Sequence, residues 1–472
     1  MKTYANQIDF TDGKIAKKMV IYSWPIFLSN LLQTSYQLID SLWVGNLIGP
    51  NGLGAIAISG SVIFTILSFI IGVNGATLTV LSQRRGANDK QGLQDSLNSF
   101  VFVLGGLAIA LGIIGLLFSG KILELLGTPE TILPLAQTYL QINFVGILFL
   151  FGYNFIGTVL RALGDSKTPI RFISVAVVLN IILNPIFISV FDLGINGAAY
   201  ATIISQATAF FYGLFFSIYK AGVPFTIPKL PEKKYFLVLL KLGLPSGLSM
   251  MAISAGVLAI MSVVTGFGEE VVAGFGAVQR LDSLIMLPAL TLGSAVNSMA
   301  GQNIGANLWQ RVHDIAKQGI ILIITISLTI STLIFIWAEP LVRMFIQDQS
   351  TVEFGTTYVR TIAFFYPFLG INFVLNGIVR ASGAMVPVLI LNIISFWILR
   401  FPLTYLFSNW FGEVGISLGM GASFVISSIV AMGYYFLGNW RNVSEKVDEM
   451  TRGNSIGEIA TTNEDDECRK QH

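Results

Sequence analysis

From Met19 to Leu437 the chain alternates between long apolar runs and short polar loops. Each run reaches about 20 residues, enough to cross a bilayer as a helix. The pattern predicts about twelve spans, near 19–43, 55–82, 97–118, 134–160, 170–192, 195–219, 236–267, 271–299, 316–337, 356–379, 386–409 and 413–438. Several exceed a straight crossing, which tilt absorbs. The expected fold is an all-α integral membrane protein.

Composition agrees with this pattern. Only 11% of the residues are charged, against roughly 25% in soluble domains. The first stretch is polar and carries Asp9 and Asp12, so no cleavable leader is expected. Lysine and arginine concentrate in alternate loops: Lys14, Lys17 and Lys18; Arg84, Arg85 and Lys90; Arg161, Lys167 and Arg171; Lys220 to Lys241; Arg311 and Lys317; then Arg380 and Arg441. By the positive-inside rule both termini are expected in the cytoplasm, with the chain in the cell membrane. The expected division is a cytoplasmic segment 1–18, a six-helix lobe 19–220, a cytoplasmic linker 221–235, a second six-helix lobe 236–440 and a cytoplasmic tail 441–472.

The two lobes repeat. Ser82-Gln83-Arg84-Arg85-Gly86-Ala87-Asn88 returns as Gly301-Gln302-Asn303-Ile304-Gly305-Ala306-Asn307, and Val159-Leu160-Arg161-Ala162-Leu163-Gly164 returns as Ile378-Val379-Arg380-Ala381-Ser382-Gly383. With an even number of spans in each copy, both start on the same side, so the repeat is parallel about an axis along the membrane normal. Two pseudo-symmetric lobes around a central cleft can rock and open it to alternate sides.

These residues resemble the multidrug and toxic compound extrusion (MATE) family of antiporters. The likeness rests on Pro25 and Asp40 in the first span, the doubled Gln-x-x-Gly-Ala-Asn and Arg-Ala-x-Gly signatures, and Leu183-Asn184-Pro185 in the fifth. It covers about residues 15–440. It implies two V-arranged lobes that export organic cations in exchange for protons or sodium ions. No Gly-x-x-x-x-Gly-Lys-Ser/Thr loop is present for ATP, so the energy source is expected to be an ion gradient.

Ion coupling needs a group inside the membrane whose charge changes on binding. Asp40 is the leading candidate, on one helical face with Gln33 and Tyr36. Asn180 and Asn184 lie one turn apart in the fifth span, Thr202 and Gln206 in the sixth, and Tyr139 and Asn154 in the fourth. Their oxygens can hold a sodium ion or bond a protonating carboxyl; the plainer reading is that they fasten helices together. As a set they resemble the family's first-lobe cavity, which assigns Asp40, Asn180, Asn184, Thr202 and Tyr139 to ion coupling and Gln33, Tyr36, Asn154 and Gln206 to the substrate cavity; in the second lobe Asp282 is the one acid that could attract a cationic substrate, and it is counted with the cavity. Pro25 is the expected hinge. Many relatives carry a second Asp where this chain has Asn184, which favours H+ over Na+. In the second lobe, position 40 maps near Ile260, with no acid, and Arg280 is expected to form a charge cluster with Asp282 or Arg400.

The expected activity is therefore a multidrug antiporter, not an enzyme. It should need no cofactor or resident metal, work as a monomer in the lipid bilayer on cationic or amphiphilic small molecules, and bind no nucleic acid. A sodium-coupled exporter and a lipid-linked precursor flippase are the rival readings.

Overall fold

A computed structural model describes residues 7–226 and 230–445; Lys2, Pro228, Lys229 and the tail from residue 446, with Cys468 and His472, lie outside the described residues. The first half comprises α1 (Ile15–Leu47), α2 (Pro50–Gly86), α3 (Lys90–Leu125), α4 (Leu133–Val145), α5 (Ile147–Ala162), α6 (Lys167–Pro185) with a π-helical continuation Ile186–Val190, and α7 (Gly194–Tyr219). The second half comprises α8 (Lys233–Val264), α9 (Glu269–Gly305), α10 (Trp309–Arg343), α11 (Gln349–Ala363), α12 (Tyr366–Ala381), α13 (Met385–Ile393) with a π-helical continuation Ile394–Arg400, α14 (Phe401–Phe411) and α15 (Val414–Leu437). No strand occurs among the described residues.

All-helical structure follows from the solvent: in hydrocarbon every backbone N–H and C=O must be satisfied within its own segment. Nine helices are long and apolar enough to span, or eleven when the bent pairs α4–α5 (50°) and α11–α12 (53°) each count as one, among the described residues. The remaining long helix is α1. Its second half carries Asn30, Gln33, Thr34, Gln37 and Asp40, which lower its apolarity and mark it as facing protein rather than lipid. Large apolar side chains point outward elsewhere, such as Leu117 at 72% exposure and Leu258 at 67%. They suit a lipid-facing surface; on a soluble protein they would form aggregation-prone patches.

The repeat extends to the backbone. Asn88 (φ 54°) and Asn307 (φ 59°) both adopt the left-handed conformation just past the ends of α2 and α9. Asparagine tolerates that helix-ending position where most residues do not. This accounts for the last residue of each Gln-x-x-Gly-Ala-Asn signature.

The rest of the signature joins the two halves. Gln83 Nε2 donates to the Ala381 carbonyl at 2.6 Å, and its repeat mate Gln302 donates through Nε2 to the Ala162 carbonyl at 2.9 Å. Thr79 Oγ1 donates to the Arg380 carbonyl at 3.1 Å; Ser298 Oγ donates to the Arg161 carbonyl at 3.0 Å. Each half thus bonds the other's Arg-Ala-x-Gly turn through equivalent atoms. The glycines permit the approach: a Cβ on Gly86 would fall 2.6 Å from the Gln302 carbonyl carbon, and one on Gly305 2.7 Å from that of Gln83.

A strap crosses this seal. Ile8 N donates to the Gly164 carbonyl of the first half at 3.0 Å. Two residues on, Phe10 is buried against Tyr22, and its carbonyl accepts from Asn303 Nδ2 and Arg311 Nη2 of the second half, both at 3.0 Å. Toward the opposite end, the last hydrogen bonds between halves are Asn30 Nδ2 to Thr291 Oγ1 at 3.1 Å and Ser68 Oγ with Ser254 Oγ at 3.0 Å. Beyond those positions no hydrogen bond joins the halves among the described residues. The cleft is sealed at one end and unlinked at the other.

Candidate functional site

Asp40 sits on α1 near the unlinked end, only 7% exposed. Helix α6 packs beside α1 and presents Asn180 and Asn184 one turn apart, both fully buried. Asn184 Nδ2 donates to Asp40 Oδ1 at 2.9 Å and to Asn180 Oδ1 at 3.0 Å. Asn180 Nδ2 passes the chain on to the Tyr36 hydroxyl at 3.2 Å and to Thr202 Oγ1 on α7 at 3.4 Å. The Tyr139 side chain, from α4, is buried close to the Asp40 carboxyl. Four of the five residues assigned to ion coupling, Asp40, Asn184, Asn180 and Thr202, thus form one hydrogen-bonded cluster that Tyr36 joins, with Tyr139 close by. One oxygen stands apart: Asn184 Oδ1 is buried with no partner.

This arrangement is costly and specific. A carboxylate buried in an apolar surround is tolerated only when donors meet it. Here the donor is an amide, with a phenol close by, and these neutral groups do not fix the carboxylate as a permanent ion pair. Such a group can exchange a proton, or share its oxygens with a bound cation, without first breaking a salt bridge.

The residues expected to line the substrate cavity disperse. Gln33 Nε2 donates to the Tyr153 hydroxyl at 3.0 Å, a tyrosine that spacing alone did not single out. Asn154 turns back onto its own helix, donating to the Leu150 carbonyl at 2.9 Å. Gln206 is half-buried on α7 and makes no hydrogen bond to the cluster among the described residues. Pro25 is buried in α1, which continues without a break from Ile15 to Leu47; Ser29 Oγ caps the Pro25 carbonyl at 2.8 Å.

Asp282 lies in the other half, on α9. Its Oδ1 accepts from the Tyr366 hydroxyl and its Oδ2 from the Tyr358 hydroxyl at 3.3 Å. Repeat arithmetic located no acid opposite Asp40, because it searched the equivalent helix α8 at Ile260. The structure supplies one from the neighbouring helix instead. Arg280 does not belong to that group: it is exposed, and two residues' separation turns it about 200° around α9 from Asp282. Arg400 is buried in the same half, within electrostatic reach of Asp282, and no ion pair joins them among the described residues. No group of three or more His, Cys, Asp or Glu positioned for a metal occurs among the described residues. A sodium ion at Asp40 would rest on one carboxylate and neutral oxygens.

Comparison with known proteins agrees with this architecture. The MatE family model matches residues 25–186 and 245–406, one copy in each half. The probable multidrug resistance protein YpnP of Bacillus subtilis is 57% identical over 441 residues, covering 93% of this chain and 98% of its own length. The multidrug export protein MepA of Staphylococcus aureus is 26% identical, covering 91% of this chain and 95% of its own. Among solved structures, an outward-facing multidrug resistance MATE family transporter superposes with a TM-score of 0.87 at 23% identity, covering 96% of this chain and all of its own. The Vibrio cholerae MATE transporter VcmN gives 0.85 at 24%, covering 89% of this chain and 96% of its own. With both repeats matched and a long, close relative spanned almost end to end, the chain belongs to the MatE family of membrane transporters.

Proposed function

We propose that this transporter is a multidrug exporter in the cell membrane, driving organic cations and amphiphilic drugs outward in exchange for protons bound at Asp40. The observation that carries the reading is the Asp40–Asn184 hydrogen bond, backed by Asn180, Thr202, Tyr36 and Tyr139. A protonated Asp40 becomes a donor at one oxygen and a weaker acceptor at the other. Its tie to α6 then loosens, and the packing of α1 against α6 changes with it. The names of the relatives support the drug-export part. Both termini, the linker 221–235 and the sealed end of the cleft belong in the cytoplasm by the distribution of basic residues. The chain works as a monomer, since each copy holds both lobes and its own cleft.

Sodium coupling is the second reading, favoured by one atom. The buried, unpartnered Asn184 Oδ1 is a neutral oxygen of the kind that coordinates a hard cation. Everted vesicles separate the two. Drug accumulation energised by a pH gradient without sodium supports proton coupling; a strict sodium requirement at fixed pH replaces it.

A further inference from the structure

Arg400 is buried in the second half at 2% exposure. Its guanidinium carbon lies 3.9 Å from the centroid of the Phe396 ring and 4.7 Å from that of Phe424, so aromatic faces hold it. Arg400 Nε and Nη2 are both buried, and neither has an acceptor. Those two nitrogens form one edge of the guanidinium, the fork that grips the paired oxygens of a carboxylate or phosphate. Leaving such donors buried and unmet costs free energy that an oxyanion would restore.

Among the described residues nothing accepts from the fork. Asp282 is within electrostatic reach and accepts from Tyr366 and Tyr358, but no hydrogen bond or ion pair joins it to Arg400 among the described residues. The π-helical turn Ile394–Arg400 inserts an extra residue into the helix and sets Arg400 at its end, a distortion that recurs at functional positions. The family match covers this helix in the second half and α6 in the first, and Arg400 falls close to where the repeat places Asn184.

We propose that Arg400 and Asp282 form a zwitterion-reading subsite, in which the Arg400 fork takes the carboxylate of a substrate and Asp282 its cationic nitrogen. Phe396 and Phe424 supply apolar surface for an aromatic body. Charge balance favours a zwitterion over a simple cation or anion. The site already holds one charge of each sign, and a ligand with one of each leaves neither buried charge unmatched. The proposal rests on the export reading above and names the substrate class it would favour.

Two dyes sharing one cationic xanthene test it: rhodamine 110, with a free carboxylate, and rhodamine 123, its methyl ester. Binding to the purified full-length chain is read by fluorescence polarisation. The wild type is expected to bind rhodamine 110 about tenfold more tightly or better, the margin expected of one charge-assisted bidentate contact. R400K keeps the charge and loses the fork, so it should bring the ratio of rhodamine 110 to rhodamine 123 affinity close to one. A monodisperse gel-filtration profile and a wild-type-like thermal melt report separately that the variant is folded. Equal binding of the dyes by the wild type overturns the subsite and leaves the export reading standing, as does a preference that survives in both R400K and R400Q. If neither dye binds the wild type, both readings fall together.

Discussion

Asn184 donates its amide to Asp40 at 2.9 Å across 144 residues of sequence, while its own carbonyl oxygen is buried without a donor. One residue therefore both supports the carboxyl and leaves an oxygen in reserve. The choice of coupling ion turns on which of these two properties the transport cycle uses.

Replacing the carboxyl keeps the bond pattern and removes the ionisable group. Asp40→Asn is expected to insert normally and to lose proton-driven dye export to background in everted vesicles. Wild-type export rates from the variant would remove Asp40 from the coupling role.

At position 184 the change runs the other way. Asn184→Asp adds a charged oxygen beside Asp40 and raises the number of anionic cation ligands from one to two. Sodium stimulation of transport at fixed pH is expected to appear or strengthen. An unchanged sodium response would mean that the two side chains do not share an ion.

The seal between halves gives a steric prediction. Gly86→Ala sets a Cβ against the Gln302 backbone, which has no flexible end to move aside. The four matched hydrogen bonds are worth about 1 kcal/mol each, so displacing this contact should shift the resting population toward opening at the sealed end. Spin labels at Lys90 and Gln310, both exposed, in a Cys468→Ser background, should report a new longer distance. Gly105→Ala, with nothing within 4 Å of its Cβ, serves as the control and should leave the distribution unchanged.

Asp348 caps α11 outside the spans, and bonds from the Ser350 hydroxyl and from the Thr351 amide and hydroxyl hold its carboxyl down at about 2. A lowered folded value gives stability that is full above the unfolded value and is lost progressively as pH falls from there through the folded one. Asp348→Ala should therefore lower Tm by nearly the same margin at pH 7 and pH 4, the margin shrinking steadily between about pH 4 and pH 2. Disappearance of the difference at pH 4 would contradict the cap's ionised role.

Much of this was legible in the residues. Asn180 and Asn184 are one turn apart, and an acid in an otherwise apolar span has to find such partners, so the Asp40 cluster follows from helical spacing and burial cost. Tyr153 and Tyr358 were not legible, because in a membrane protein a tyrosine serves lipid interface, core or site equally well. Arg280 misled for a geometric reason: nearness in sequence to Asp282 is opposition on a helix. The seal escaped notice because repetition shows that Gln83 and Gln302 are equivalent, not that each reaches across to the other's neighbourhood. Two copies of a pattern identify matching places without saying which places touch.

The strap from Ile8 to Phe10 has a consequence for how the molecule is made. Phe10 leaves the ribosome ahead of α1, yet Asn303 and Arg311, which hold its carbonyl, follow some 300 positions later. At translation speeds of about 5–20 residues per second, that interval lasts roughly 15–60 s. Throughout it, an apolar side chain destined for burial has no second lobe to receive it. Docking of the N-terminus is thus a late event of biogenesis, and a chain that stops before α10 leaves Phe10 without the Arg311 contact.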